Sequence, residues 1–211
     1  MSSVVYLVRH AESEHNISKD FTQRDPPLTA TGLTQASTLI ETFPDTASIA
    51  VVLTSPLTRT LQTTITGFPQ VFRKDTAGSA RVIIDPDLQE RSDLPCDTGS
   101  GRLELNEAFP GLSFEGLEDE WFIKDGLYAV DDVAVAKRAQ RFRNRLRDII
   151  ASLEDGGEAN EGRRRDVVVV THGVFMKFLA EDEAIDLPKA GWKAFRIGDR
   201  GDGGAILLPF E

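Results

Sequence analysis

The sequence predicts an α/β protein, a three-layer α/β/α sandwich with a mainly parallel central sheet. Four short β-branched runs lack the alternation of half-exposed strands, which is typical of strands buried on both faces of a sheet. These runs are residues 4–8, 49–53, 82–84 and 167–170. Stretches with helical periodicity lie between them, and strands that alternate with helices form parallel sheets through helical crossovers.

The first two predicted helices lie in the amino-terminal half. Residues 29–43 place apolar side chains at helical spacing, and Pro44 closes the segment. Pro56 suits the first turn of a second helix, which is expected to run to Thr66. Each helix connects two predicted strands, as the sandwich requires.

The longest predicted helix follows Asp131 and Asp132, whose carboxylates suit a helix amino terminus. Its apolar face consists of Val135, Ala139, Phe142, Leu146, Ile149, Ile150 and Leu153. Residues 154–165, rich in Gly, Glu and Arg, are expected to form a solvated loop. Two late strands are predicted at a sheet edge, at residues 192–197 and 205–208.

The length and residue types exclude several classes of protein. A chain of 211 residues is typical of one domain with insertions, so residues 1–211 are expected to form a single domain. The single cysteine, Cys96, has no intramolecular disulfide partner, and no cluster of Cys and His has metal-ligand spacing, so we expect no metal.

The net charge and hydropathy bear on partners and location. With 34 acidic and 24 basic residues, the formal charge of −10 argues against nucleic acid as a partner. No stretch approaches the roughly 20 apolar residues of a membrane span, and the first residues lack the features of a signal peptide. We therefore expect a cytoplasmic protein without a membrane partner. No prediction of oligomeric state follows.

The negative charge is concentrated in one segment. Residues 85–132 contain 14 acidic and three basic residues, a sum of −11, so the rest of the chain is close to neutral. Within this segment, residues 86–130 have weak periodicity and are expected to form an irregular insertion over the active-site end of the sheet. Short helices are predicted in it at residues 103–109 and 116–122.

Four cationic or imidazole side chains are expected to meet at one edge of the sheet. His10 and His172 directly follow the first and fourth predicted strands, Arg9 adjoins His10, and Arg59 lies early in the helix after the second strand. Because the carboxyl ends of parallel strands form the ligand crevice, all four should face one cleft. Taken singly, each has a structural explanation. Together they suit a phosphate oxyanion.

Such a pocket also permits covalent chemistry. A neutral imidazole can attack phosphorus while nearby cations stabilise the equatorial oxygens. The leaving alcohol then needs a proton, and Glu90, just after the third predicted strand, is the carboxylate best placed by topology.

Five ordered blocks resemble the signature of the histidine phosphatase superfamily, in its phosphoglycerate-mutase-like branch. They span most of the chain and are residues 9–16 (RHAESEHN), 28–36 (LTATGLTQA), 55–63 (SPLTRTLQT), 88–90 (LQE) and 170–173 (VTHG). The resemblance implies that His10 is the nucleophile and becomes phosphorylated, and that Glu90 is the proton donor and later the base. It implies that the phosphoryl group is bound by Arg9, Asn16, Arg59, His172 and Gly173. The family needs no metal or organic cofactor.

Departures from the pattern favour a phosphatase over a mutase. Ala11 replaces the usual Gly after the nucleophile, and Val174 stands where mutases generally have Asn. Residues 91–93 do not match the sequence that follows the catalytic Glu in the mutases. The predicted activity is hydrolysis of a small phosphate monoester. The alternatives are phosphoglycerate-mutase-type transfer, a non-catalytic interaction module with a phosphatase fold, or a pocket reused for other chemistry.

The acidic insertion suggests a hypothesis about the substrate. Its carboxylates would repel a substrate with several anionic groups, which favours a monophosphate with a neutral, apolar or cationic remainder. The aromatic residues Phe109, Phe114, Trp121 and Phe122 are candidates for apolar walls, and packing of the insertion onto its own sheet is the alternative. His15 is expected at the cleft edge or surface, and a thiolate role for Cys96 has little support.

Overall fold

The computed structural model describes residues 3–72, 80–154 and 164–210. Within these ranges six strands form one sheet in the order β3-β2-β4-β1-β5-β6. The strands are β1 (Val5–Arg9), β2 (Ile49–Thr54), β3 (Arg81–Ile84), β4 (Asp166–Thr171), β5 (Trp192–Asp199) and β6 (Ala205–Pro209). All six predicted strands are present; β1 is shifted by one residue, and each of the others is extended by one or two residues.

The sheet is mainly parallel, as the sequence predicted. Strands β1 to β4 all run in the same direction: β4 pairs with β1 on one side and with β2 on the other, and β2 pairs with β3. Strand β5 pairs antiparallel with β1, and β6 pairs antiparallel with β5 at the edge. The amino end of β5 therefore lies beside the carboxyl end of β1.

The described helices are α1 (Glu14–Ser18), α2 (Ala30–Ser37), α3 (Leu39–Thr42), α4 (Thr58–Gly67), α5 (Arg102–Ala108), α6 (Asp132–Glu154) and α7 (Gly173–Ala180). None of them is long and apolar enough to cross a membrane. The predicted loop at residues 154–165 lies largely outside the described residues, at 155–163.

Three helix predictions need correction. The predicted helix at residues 29–43 is divided at Thr38 into α2 and α3. Helix α4 begins at Thr58 rather than near Pro56, because the carboxylate of Asp25 accepts hydrogen bonds from the Thr58 backbone nitrogen (2.8 Å) and hydroxyl (2.8 Å) and so caps the helix there. Residues 116–122 form turns instead of a helix.

Apolar side chains cover both faces of the sheet. Val5 and Leu7 of β1 point to one face, where they pack in a cluster with α6 and α7, and Tyr6 and Val8 point to the other, near α3. The sheet is therefore the middle of three layers. The α/β sandwich predicted from the sequence is confirmed.

The insertion has a small core of its own. Phe114 and Trp121 are buried there against Leu57 and Leu61, which precede and lie within α4. The Trp121 indole nitrogen donates to the Ser100 carbonyl at 3.1 Å. Packing of its own aromatic residues thus attaches the insertion to α4, the helix that contains Arg59.

Candidate active site

A pocket of about 290 Å³ opens at the carboxyl ends of the parallel strands. Six of the seven residues predicted from the sequence line it: Arg9, His10, Asn16, Arg59, Glu90 and Gly173. The prediction that these distant stretches converge is thus matched by the geometry. Chain topology explains it, since each residue follows a parallel strand or begins the helix after one.

His10 is held in one orientation. Its Nδ1 lies 2.7 Å from the Ala11 carbonyl oxygen. A carbonyl can only accept, so Nδ1 bears the proton and Nε2 keeps a free lone pair. Burial holds the pKa of His10 well below its usual range, and the charge of Arg59 adds to the effect. The imidazole is therefore neutral and nucleophilic near neutral pH.

The loop after His10 is fastened by two helices. The Ala11 backbone nitrogen donates to Thr63 of α4 at 3.0 Å. The Glu12 carboxylate accepts from the Thr29 hydroxyl at 2.7 Å, and α2 packs so closely that a Cβ on Gly32 would lie 1.9 Å from the Glu12 carbonyl oxygen. Glycine at residue 32 lets the helix approach the backbone that follows the nucleophile.

Arg59 is fully enclosed and paired. Its Nη1 donates to the Cys96 carbonyl and its Nη2 to the Asp97 carboxylate, each at 2.7 Å. Cys96 and Asp97 belong to the insertion, and both line the pocket. Burial raises the pKa of the Cys96 thiol to about 11, so this group is a thiol at neutral pH.

Arg9 also lines the pocket. Its Nη1 donates to the Asp186 carboxylate at 2.9 Å and to the Leu187 carbonyl at 2.5 Å. Gly173 leaves room for this guanidinium, because a Cβ there would lie 3.0 Å from its Nη2 and 3.1 Å from its Cζ. The group that approaches Gly173 closely is therefore the Arg9 side chain, and direct contact of Gly173 with a phosphoryl group stays a prediction.

Glu90 is oriented by the amino terminus of α7. Its carboxylate accepts from the backbone nitrogens of Phe175 (2.8 Å), Val174 (3.0 Å) and Arg91 (2.8 Å). Its carbonyl accepts from the Lys124 ammonium at 2.7 Å. Burial, together with nearby cationic charge, lowers the pKa of Lys124 to about 7.

His172 lies behind His10 and does not line the pocket. The centres of the two rings are 5.2 Å apart, and His172 has no exposed surface. Its Nε2 lies 2.9 Å from the Ser55 hydroxyl. Burial and the charge of Arg59 hold its pKa well below the usual range. It contacts the nucleophile's ring, and direct contact with a phosphoryl group stays a prediction.

Asn16 and His15 form one hydrogen-bonded unit with Ser13. The Asn16 amide nitrogen lies 3.0 Å from His15 Nε2, and His15 Nδ1 lies 3.1 Å from the Ser13 hydroxyl. Both His15 and Asn16 line the pocket, and His15 is buried. His15 was expected at the cleft edge or on the surface. It does line the cleft, but its ring is buried rather than on the surface.

Sequence reasoning missed three lysines. Lys177 and Lys189 line the pocket, and Lys124 lies beside Glu90. The position of Lys189 could have been predicted from its place in the chain just before β5, because the amino end of β5 lies beside the carboxyl end of β1. The antiparallel pairing of β5 that this argument needs was not predicted.

The proposed aromatic walls are elsewhere. Phe109, Phe114, Trp121 and Phe122 belong to the core of the insertion and do not line this pocket. Their apolar surface packs in a cluster with Leu57, Leu61 and Ile84 of β3, which is close to the alternative that the insertion packs onto its own sheet. The pocket instead has Phe21 and Leu94 as large apolar lining residues.

Comparisons with known proteins agree with this architecture. The model of the histidine phosphatase superfamily (branch 1) matches residues 5–202. A protein of Schizosaccharomyces pombe named a probable phosphatase is 29% identical over 199 residues, which are 90% of this chain and 85% of that protein. A Proteus mirabilis protein named a probable phosphoglycerate mutase is 41% identical over 87 residues, 41% of this chain and 37% of its own.

A solved structure of a mycobacterial glucosyl-3-phosphoglycerate phosphatase with VO3 has a similar fold, with a TM-score of 0.60 and 17% identity over 100% of this chain and 99% of that one. The chain described here belongs to the histidine phosphatase superfamily, branch 1. The resemblance inferred from the five sequence blocks is confirmed. Family membership and the named relatives support a phosphatase-type enzyme.

Proposed function

We propose that the protein is a phosphomonoesterase that hydrolyses a small phosphate monoester through a phosphohistidine at His10. The observation that supports this most directly is the state of His10: its Nδ1 proton is bonded to the Ala11 carbonyl. Its other nitrogen is therefore free in a pocket lined by Arg9, Arg59 and Glu90.

In the first step, His10 Nε2 attacks phosphorus in line with the ester oxygen. The P–N bond forms, the P–O ester bond breaks, and its electron pair stays on the leaving oxygen. Glu90 in its protonated form supplies the proton to that oxygen. Arg9 and Arg59 stabilise the charge on the equatorial oxygens, and Asn16 supplies a further donor.

In the second step, water attacks the phosphoryl group on His10. Glu90 is now a carboxylate and takes a proton from the water, the new P–O bond forms, and the P–N bond breaks. Inorganic phosphate leaves and His10 returns to its neutral form. The three backbone hydrogen bonds to Glu90 keep its carboxylate in place for both steps. The proposal assigns no step to a metal or cofactor.

Unpaired nitrogens support an anionic ligand. The buried polar atoms without a hydrogen-bond partner in the described structure include Nε of Arg9, Nε of Arg59 and Nδ1 of His172, and also atoms away from the pocket such as Nε of Arg138 and Nε of Arg145. A buried polar group without a partner costs about 1 to 3 kcal/mol. An oxyanion that draws Arg9, Arg59 and His172 towards itself would satisfy their nitrogens, and all three were predicted from the sequence to bind phosphate.

The lining of the pocket does not support the hypothesis that the acidic insertion repels substrates with several anionic groups. Of the 14 acidic residues at positions 85–132, only Glu90 and Asp97 line the pocket, and Asp97 is paired with Arg59. Lys177 and Lys189 oppose any repulsion of anions. We therefore no longer expect multiply charged monoesters to be excluded. The predicted cytoplasmic location is unaffected by this change.

The test is hydrolysis of an aryl phosphate by the parent, by His10→Ala and by Glu90→Gln. We expect His10→Ala to lower kcat by at least about a thousandfold. Glu90→Gln should lower kcat by about 100- to 10,000-fold with an alkyl phosphate. Its loss should be much smaller with p-nitrophenyl phosphate, whose leaving group needs little protonation. Glu107→Gln, an exposed glutamate on α5, is the matched control.

A second readout distinguishes hydrolysis from the alternatives. Alkaline quenching followed by mass spectrometry should place one phosphoryl group on the peptide that contains His10. Release of inorganic phosphate without an acceptor separates a phosphatase from a mutase. Equal hydrolysis by the parent and His10→Ala would show that the activity does not use this nucleophile.

A further inference from the structure

Lys189 lies on a turn that is attached to the nucleophile's own strand. The Ala190 backbone nitrogen donates to the His10 carbonyl at 3.4 Å, and the Gly191 carbonyl accepts from the Arg9 nitrogen at 3.0 Å. The turn is tight: Ala190 adopts a left-handed conformation (φ 56°), and a Cβ on Gly191 would lie 2.7 Å from Pro188. The position of Lys189 relative to His10 is therefore set by backbone contacts.

The ammonium of Lys189 differs from the guanidinium groups around it. Arg9 and Arg59 are each paired with a carboxylate, Asp186 and Asp97 respectively. For Lys189, the described residues provide neither a hydrogen bond nor an ion pair, although the residue is half-buried and lines the pocket. An ammonium that is partly withdrawn from water beside other cations is unfavourable until an anion arrives.

We propose that Lys189 is an additional ligand of the phosphoryl group, donating to an equatorial oxygen of the group transferred to His10. This inference rests on the proposed function, because it assumes that the pocket binds a phosphate ester. Neither the family signature nor the site predicted from the sequence includes this residue. Asp186 and Asp97 partly neutralise the charges of Arg9 and Arg59. The role of Lys189 is to add a positive charge that forms no ion pair with a carboxylate of the described residues.

The proposal has a pH dependence that a structural role would not produce. Burial and the charges of Arg9 and Arg59 lower the pKa of Lys189 to about 7 in the unliganded pocket. Above that pH Lys189 of the free enzyme loses its proton, and the pocket loses the part of its affinity for a phosphate dianion that this charge supplies. The charged or titratable groups that interact electrostatically with Lys189 are Arg9, His10, His15, Lys19, Arg59, Glu90 and His172, and Lys177 and Asp186 line the same pocket.

The experiment compares the parent with Lys189→Met and Lys189→Arg, using p-nitrophenyl phosphate between about pH 6 and pH 9. We expect Lys189→Met to lower kcat/KM by about 10- to 100-fold at pH 6, the value of one charge-assisted hydrogen bond. The ratio to the parent should approach one at pH 9, where Lys189 of the parent is uncharged. Lys189→Arg should keep its activity to higher pH than the parent.

A binding measurement separates this inference from the proposed function. In the His10→Ala background, calorimetric titration with inorganic phosphate at pH 6 should show a Kd that rises about 10-fold or more when Lys189→Met is added. Lys137→Met, an exposed lysine on α6, is the control and should leave the Kd unchanged. An inactive parent would contradict the proposed function, whereas an active parent with an unchanged Lys189→Met profile would overturn the role of Lys189 alone.

Discussion

The guanidinium of Arg59 and the carboxylate of Asp97 form a buried ion pair, with 2.7 Å between Nη2 and Oδ1. The second carboxylate oxygen of Asp97 accepts from the Ser92 hydroxyl at 2.5 Å. Arg59 belongs to α4 and Asp97 to the insertion. The orientation of Arg59, which is predicted to bind the phosphoryl group, is therefore set by a residue of the insertion. The insertion's other attachment to α4 is its aromatic core.

Removal of Asp97 should destabilise the protein. Asp97→Ala leaves the almost fully buried Arg59 without its carboxylate, and a broken buried pair costs about 3 to 5 kcal/mol. We expect a decrease of that order in the free energy of unfolding, measured by urea denaturation. Asp93→Ala is the control, since Asp93 is exposed in the same insertion and forms no ion pair in the described structure. Equal stability of the two variants would contradict this account of the pair.

The strands and the main site residues could be predicted because their signals are local. Each buried strand is a continuous β-branched run, and His10, Arg59, Glu90 and His172 follow such runs in the chain. Once the strands are parallel, their carboxyl ends meet at one edge, so no long-range information is needed to bring these residues together.

The remaining features depend on contacts between distant residues. The start of α4 is determined by Asp25, which lies 33 positions away from Thr58. Lys189 reaches the pocket through the antiparallel pairing of β5 with β1. A local pattern contains neither contact. The burial of His172 behind His10 was missed for the same reason, since strand topology indicates the edge of the sheet but not the depth of a side chain.

Gly173→Ala should impair activity without a loss of stability. The new Cβ would lie 3.0 Å from Arg9 Nη2, so the guanidinium must shift by a few tenths of an ångström within the pocket. Alanine is favoured over glycine in a helix, so α7 itself should not be weakened. We expect kcat/KM for an aryl phosphate to fall about 10- to 100-fold with an unchanged or higher unfolding midpoint.

Gly111→Ala is the matched control for that variant, because a Cβ there meets no atom within 4 Å. It should leave both the kinetics and the unfolding midpoint close to those of the parent. Full activity of Gly173→Ala would mean that the position of the Arg9 guanidinium is unimportant for the reaction.

Gly32→Ala should have the opposite signature, with a large loss of stability. Here the added Cβ would meet backbone, 1.9 Å from the Glu12 carbonyl oxygen, which cannot turn aside as a side chain can. Helix α2 must shift, and we expect the free energy of unfolding to fall by about 2 to 4 kcal/mol. Chemical denaturation measures this effect. Gly116→Ala, at a glycine with open surroundings, provides the comparison and should be nearly neutral.

His15 makes the stability of the fold depend on pH. The Asn16 amide nitrogen can only donate, so Nε2 of His15 accepts from it and must be unprotonated. Burial lowers the pKa of His15 to about 4, whereas an unfolded histidine has a pKa of about 6.5. Between these values the unfolded chain binds the proton and the folded protein does not. The free energy of unfolding therefore decreases as the pH falls from 6.5 towards 4.

The variant His15→Gln isolates this contribution, because glutamine does not titrate. At about pH 7.5 the variant should be less stable than the parent, since the hydrogen bonds of His15 to Ser13 and Asn16 are altered. The difference between the two should narrow as the pH falls through the window between 6.5 and 4, because only the parent loses the contribution of a neutral His15. Urea denaturation at several pH values measures both curves. Parallel curves would show that His15 is protonated equally in the folded and unfolded states, and that its bond to Asn16 does not depend on the neutral ring.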